Sequence, residues 1–289
     1  MGFLRSIEVG ARSIEVGAKR FVIDARWVAN RTITKWSDPS AVAFCDAIAA
    51  GGFNFDELIN VVPSLNVIYV AVPKVASTRI RQTLAAAAGR HSISLNPRRF
   101  RRFRGPYGPR SMTPGAFHKL ATDPKTLRFS FVRNPYARAV SCWAHLFRGK
   151  PLAPGDVFVD GYLAGKQEID ADLPAGPDRT LTFSDFVTYV GAFANRNRRV
   201  DGHLQTQDSI LAMPGIALEF VGRIERFSED IMRVLDHIAA KSDIRGDAAK
   251  PVNSSQHGPW ADYYTPELRD RIYRIYECDF DRFQYPRGP

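Results

Sequence analysis

Cysteine is scarce in this chain. Three occur in 289 residues, at positions 45, 142 and 278, with no C-x-x-C pair and no Cys/His metal spacing. A disulfide framework and a structural zinc site are therefore not expected. No apolar run approaches the roughly 18 residues a membrane helix requires, and the longest, around Val67–Val72, has strand length. The first twenty residues, MGFLRSIEVGARSIEVGAKR, lack the apolar stretch of about 7–15 residues that a secretory signal carries. The expectation is a soluble, cytoplasmic chain. The phosphate-binding pattern G-x-x-x-x-G-K-[ST] is also missing, and no aspartate marks a Mg²⁺ site at a strand end. Acid is in short supply: 30 Asp+Glu against 40 Lys+Arg give a net charge of +10. That balance favours anionic partners.

What is present suits a folded enzyme-sized chain, 45% hydrophobic and 24% charged, which excludes a largely disordered one. Residues 5–11 and 12–18 repeat RSIEVGA, too few copies for a coiled coil, and are expected to form a peripheral extension. Residues 21–60 look mixed, with Ser40 able to cap AVAFCDAIAA before Gly51-Gly52. Residues 1–62 are read as an N-terminal extension, partly helical, and 63–289 as the main domain.

From residue 65 the pattern sharpens. VIYVAV after Asn66 is a β-branched run bounded by Pro63 and Pro73, as in a strand buried on both faces. PKVAS then leads into a helix with Ile80, Leu84, Ala87 and Ala88 on one face and Gly89 as its stop. A second strand, Leu127–Val132, runs into Arg133-Asn134-Pro135, and the proline opens a helix with Tyr136, Val140, Trp143 and Leu146. Residues 149–180, rich in Gly, Pro and Asp, are expected to be loop. A helix starts at Thr182 or Ser184, a third strand spans Ile216–Ile224, and Ser228 with its acidic neighbours caps a helix Ile231–Ala240. Thr265-Pro266-Glu267 opens a last helix with Leu268, Ile272 and Ile275 buried. Alternating strands and helices predict an α/β fold with a mainly parallel central sheet flanked by helices. Ligands in such sheets sit at the carboxyl ends of the strands. The turns after Val72 and after Val132 are both such ends.

The first turn, Pro73-Lys74-Val75-Ala76-Ser77-Thr78-Arg79, puts a lysine, small residues and two hydroxyls at a helix N-terminus, where unpaired N–H groups and the dipole favour a phosphate. Read alone, it also fits an ordinary capped helix with a surface lysine. The second turn, Arg133 through Ser141, places an arginine at a strand end and a serine two helical turns later. Arginine binds phosphate bidentately, and the hydroxyl adds one bond.

Together PKVAST and FVRNPYARAVS resemble the carbohydrate sulfotransferases (sulfotransferase family 2), which include the Golgi chondroitin 4-O- and uronyl 2-O-enzymes and bacterial relatives. The resemblance continues through DGHLQTQ at 201–207, VGRIE at 221–225 with Ser228-Glu-Asp230, Asn253-Ser254-Ser255, and Ile275-Tyr276, Asp279-Phe280, Phe283 and Tyr285. It covers about 65–289. It implies a P-loop-like three-layer fold and transfer of a sulfuryl group from 3′-phosphoadenosine 5′-phosphosulfate (PAPS) to a hydroxyl, most simply of a carbohydrate, with no metal. By motif position Lys74 would meet the bridging oxygen of the leaving group. Pro73, Lys74, Ala76, Ser77, Thr78 and Arg79 would surround the 5′-phosphosulfate, Arg133 and Ser141 the 3′-phosphate, and Asn253 and Ser254 would complete the donor site. Family members in the Golgi lumen carry a membrane anchor and paired cysteines. Their lack here implies a bacterial-type cytoplasmic enzyme. Arg79 stands where cytosolic sulfotransferases often have an aromatic residue, which removes adenine stacking at that position.

A general base must take the acceptor's proton, and histidine suits neutral pH. His118 and His203 are both candidates. His91, His145, His237 and His257 are read as structural or surface residues, and Glu168 and Glu219 stay open. Residues 98–110, RRFRRFRGPYGPR, hold six arginines and no acid. This loop fits an anionic acceptor or a peripheral membrane contact, and equally a solvated charge run. A nucleic-acid-binding protein, with Phe100, Phe103 and Tyr107 as stacking groups, would leave the two phosphate turns unexplained. A nucleotide-dependent kinase would need the motifs found missing.

Overall fold

Val67–Val70 is four apolar residues long and buried on both faces, and it forms the strand β2 around which the fold is built. The computed structural model describes residues 26–50, 55–89, 108–169, 172–193, 202–240, 242–248 and 258–288. Among these, one four-stranded sheet has the order β1-β2-β3-β4. Strand β1 is Ile59–Val62, β3 is Leu127–Val132 and β4 is Phe220–Arg223. β2, β3 and β4 run parallel, with Val70 opposite Ser130 and Val132 opposite Arg223. β1 pairs antiparallel on the outer side of β2, Ile59 opposite Val70. This is the expected α/β architecture, and it sets the ends of β2, β3 and β4 side by side.

Helices flank the sheet: α1 is Pro39–Ala50, α2 Ser77–Ala87, α3 Pro114–Thr122, α4 Pro135–Leu146, α5 Val157–Lys166, α6 Phe183–Phe193 and α7 Gln207–Leu211. After β4 come α8 Phe227–His237, α9 Ser242–Ala248, α10 Pro266–Ile275 and α11 Glu277–Arg282. No helix among the described residues is long and apolar enough to cross a membrane.

Several local expectations give way to specific contacts. β1 lies within residues assigned to the N-terminal extension. Its sequence INVV is too short, and abuts Pro63 too closely, to show a pattern. Buried Asn60 marks it in space, donating to Leu58 O and Tyr69 O and accepting from Arg81 Nε at 2.8 Å, which ties α2 to the sheet edge. The cap of α1 is Asp38, not Ser40. Its carboxylate accepts from Ala41 N–H at 3.0 Å and from the Ser40 hydroxyl at 2.6 Å, and Pro39 fills the first helical position. Residues 149–180 are not all loop. Asp156 caps α5 by accepting from Phe158 and Val159 N–H, and the glycines at 161 and 165 lie inside that helix. Gly165 lets the Tyr189 hydroxyl approach to 2.8 Å of where a Cβ would stand. β4 is shorter than Ile216–Ile224, and α8 starts at Phe227, so Ser228 lies inside it.

The helix after β3 is buried from Pro135 to Trp143, as an element enclosed on all sides must be. Asn134 caps it, its Oδ1 accepting from Tyr136 N–H at 2.9 Å. The C-terminal segment wraps its start. Trp260 stacks on Tyr136 at 5.6 Å, Tyr264 donates to Tyr136 O, and Tyr136 donates to Arg287 O. Beneath the sheet's carboxyl end, Tyr69, Phe129 and Phe131 form a ring cluster.

Candidate functional site

The chain leaves β2 through a strained turn. Lys74 (φ 69°) and Ala76 (φ 57°) both adopt the left-handed conformation, around buried Val75. For non-glycine residues this costs on the order of 1–2 kcal/mol each, strain of a kind that gathers at functional sites. Ala76 ends the turn as the N-cap of α2 without a side-chain cap, and the first helical bond runs from Ile80 N–H to Ala76 O. The first-turn N–H groups thus stand outside the helix ladder, with the positive dipole end behind them. The Ser77 hydroxyl donates to Val72 O at 2.6 Å, which ties the helix start to the end of β2. Thr78 is exposed and Arg79 half-buried.

Arg133 follows β3 directly. Its backbone is held by the Gln207 side chain, which accepts from Arg133 N–H at 2.9 Å and donates to Arg133 O at 2.8 Å. The guanidinium reaches across to Lys74 O at 3.4 Å, so the two turns meet. Burial pulls the Arg133 pKa down from its ordinary value, and the Glu225 carboxylate opposes that shift. Glu225 also accepts from Asn134 N–H at 2.7 Å and from the Tyr285 hydroxyl at 3.0 Å. Ser141 sits two turns into α4 and is buried, 1% exposed.

A third segment joins them through one side chain. Arg138 is 2% exposed. Its guanidinium donates to Pro73 O at 3.2 Å, Gln205 O at 2.8 Å, Gly202 O at 3.0 Å and His203 O at 3.4 Å. Cys142 also donates to His203 O, and Tyr276 to Leu204 O at 3.1 Å. Asp279 accepts from Gln207 and Asp208 N–H at 2.9 and 2.7 Å. The phosphate-type turn, the arginine turn and residues 202–208 therefore form one hydrogen-bonded unit at the carboxyl end of the sheet.

Residues 58–286 match the model of the sulfotransferase family. The chain belongs to this family. Among curated relatives, mouse carbohydrate sulfotransferase 11 is 24% identical over 231 residues, covering 75% of this chain and 64% of the relative. Mouse carbohydrate sulfotransferase 12 is 23% identical over 175 residues, covering 56% of this chain and 41% of the relative. The chain spans less than two thirds of either one's length. No solved structure matches it significantly.

Within this sulfotransferase-family unit the candidate residues separate. Pro73, Lys74, Ala76, Ser77, Thr78, Arg79 and Arg133 come together, and Ser141 lines the same helix as Arg138. His203 joins them through its backbone, and its ring faces His145 and Phe158. His118 lies on α3 with its ring 5.0 Å from Phe44 of α1 and its electrostatic neighbour Asp38, on the α1 side of the molecule. Glu219 is ion-paired with Arg128 at the opposite, amino end of the sheet. Asn253 and Ser254 lie outside the described residues, as do the duplicated heptapeptide and all of the arginine-rich loop before Gly108. No group of three His, Cys, Asp or Glu that could hold a metal occurs among the described residues.

Sequence reasoning did not single out Arg138, Gln207, Glu225 or Asp279 as organisers of the site. The sequence shows Arg138 between two alanines in a largely apolar helix, which marks it as a buried cation without naming its partners.

Proposed function

We propose that the protein is a PAPS-dependent sulfotransferase that moves a sulfuryl group onto a hydroxyl of a carbohydrate acceptor. The observation that carries the reading is the meeting of two anion-binding turns, with Arg133 against Lys74 O and an uncapped helix start beside them. The family match and the names of the mouse relatives support it. Two anionic groups of one nucleotide, the 5′-phosphosulfate and the 3′-phosphate, suit two such turns side by side.

The chemistry is an in-line displacement. The acceptor oxygen forms the new O–S bond as the bond from sulfur to the bridging phosphate oxygen breaks, and 3′-phosphoadenosine 5′-phosphate leaves. As in phosphoryl transfer, catalysis rests on positioning and on charge neutralisation. Lys74 would balance the negative charge growing on the bridging oxygen. The N–H groups from Ala76 to Arg79 would hold the 5′-phosphate, and Arg133 the 3′-phosphate. Ser141, buried two turns into α4, would contribute by its hydroxyl. His203 is the better-placed base, because its segment is bonded to the donor turn while His118 faces α1. It would take the acceptor's proton, an effect worth on the order of 10²–10⁴ in rate.

Thermal melting with 3′-phosphoadenosine 5′-phosphate, ADP, AMP and ATP–Mg²⁺ tests the reading. A ligand at 100 times its Kd stabilises by about 2.7 kcal/mol, roughly 5–10 °C at about 2–4 °C per kcal/mol. A shift specific to the 3′-phosphorylated nucleotide is expected. A shift with ATP–Mg²⁺ alone, or none at all, would refute it.

A further inference from the structure

Beside His203 lies a cluster of side chains to which the donor reading gives no role. His145, in the last turn of α4, is exposed, and its ring lies 6.1 Å from that of His203 at an interplanar angle of 23°. Phe158, near the start of α5, meets both imidazoles edge to face, at 5.4 Å from His203 and 6.3 Å from His145. Lys150 Nζ is 5.8 Å from the Phe158 ring centre and 3.0 Å from Asp156 Oδ2. The sequence alone placed His145 among structural or surface histidines. In space it belongs to this cluster.

The cluster adjoins the donor turn. A Cβ on Gly202 would stand 3.5 Å from Pro73 Cγ, and Arg138 binds Pro73 O and His203 O together. A molecule resting on Phe158 and His145 therefore lies next to His203 and one segment away from Lys74.

We propose that His145, Phe158, Lys150 and Asp156 form the saccharide subsite of the acceptor, with His203 at its inner edge. A pyranose ring has an apolar C–H face and a rim of hydroxyls. A half-buried aromatic ring supplies apolar contact for the first. Two imidazoles and an ammonium–carboxylate pair supply donors and acceptors for the second. A purely apolar ligand would leave that polar rim unmatched, and a small anion would leave the rings unused. The inference rests on the donor reading of the two turns. It adds to that reading the residues that select the acceptor.

The test is calorimetric titration of the full chain, saturated with 3′-phosphoadenosine 5′-phosphate, with two probes: an unsulfated chondroitin hexasaccharide and the neutral maltohexaose. The wild type binds at least one of them. Phe158→Leu, which keeps apolar volume and removes the ring, and His145→Ala, at an exposed position, each weaken that binding about tenfold or more. Both variants keep the wild-type melting shift with the nucleotide. Wild-type protein that takes the nucleotide but neither saccharide overturns the subsite and leaves the donor reading standing. So do variants that bind saccharide as the wild type does. A wild type that does not respond to the nucleotide overturns both.

Discussion

Arg133 and Arg138 are five residues apart and do opposite work, and replacing each by methionine separates them. Arg138 is the buried one, with two bonds at or below 3.0 Å and two longer ones, all to backbone carbonyls. A buried hydrogen bond to a charged group is worth about 1.5–3 kcal/mol, so the two short bonds alone represent roughly 3–6 kcal/mol. Relief of the buried charge returns part of that. Arg138→Met should therefore cost about 3–5 kcal/mol, a large share of a total near 5–15 kcal/mol. At about 2–4 °C per kcal/mol the midpoint falls by roughly 6–20 °C. Among the described residues Arg133 makes one side-chain bond, at 3.4 Å to Lys74 O, and burial works against its charge. Arg133→Met should keep stability within about 1 kcal/mol of wild type, or raise it. It should lose about 10–150-fold in affinity for 3′-phosphoadenosine 5′-phosphate, the equivalent of about 1.5–3 kcal/mol. Melting without ligand and calorimetry with the nucleotide read the two effects separately. Equal loss of stability in both variants, or an Arg138→Met protein that melts with the wild type, would refute the division of labour.

Three further outcomes follow from other parts of the molecule. In Gly222→Ala the new Cβ would lie 2.5 Å from Phe131 Cε1 in the middle of β4, so the urea midpoint should drop by the equivalent of about 1–3 kcal/mol; an unchanged midpoint would mean that the ring has room to move. Burial raises the Asp279 carboxyl above 3.8, with Arg138 and the N–H groups of Asp208 and Gln207 opposing. The folded state then holds this proton more tightly than the unfolded one, and stability falls as pH rises from 3.8 through the raised pKa. The stability difference between wild type and Asp279→Asn should shrink with rising pH over that window, and a difference that grows would contradict the sign. Finally, Cys278 is exposed while Cys45 and Cys142 are buried, the Cys45 thiol pushed up to about 12 by burial. An aromatic disulfide reagent should titrate one thiol in the native protein and three after denaturation; rapid native reaction of all three would show that the helices carrying Cys45 and Cys142 open readily.

The two strand–turn–helix units were legible in the sequence because each signal is local. A β-branched run between prolines defines Val67–Val70, and Asn134-Pro135 defines the start of α4. What stayed hidden depends on distant partners. INVV at 59–62 becomes a strand only through pairing with Val67–Val70, and Val157–Lys166 reads as loop because of two glycines, of which Gly165 makes room for the Tyr189 and Phe193 rings. Arg138 is the sharpest case. Its acceptors lie 64 to 67 residues away and are all backbone carbonyls, so no spacing of residue types reveals them. His118 and His203 were both candidates in the sequence, and their own contacts separate them: the His118 ring packs on Phe44, while Arg138 binds His203 O and Pro73 O together.

The backbone of the segment from Gly202 to Asp208 is gripped from outside, while the Gln207 and Asp208 side chains reach out to Arg133 and Arg282. Arg138, Cys142, Tyr276 and Asp279 hold its carbonyls and amides, and these residues belong to α4 and the C-terminal helices. The path of the segment is thus encoded outside it. Those grips act on backbone atoms, so a half-buried position such as Gln205 can change its side chain while the loop keeps its mount, whereas Leu204, which is buried, and Thr206, the N-cap of α7, hold by their own side chains. A lineage that keeps Arg138, Tyr276 and Asp279 inherits a fixed mount, on which the loop's less buried side chains can vary one substitution at a time.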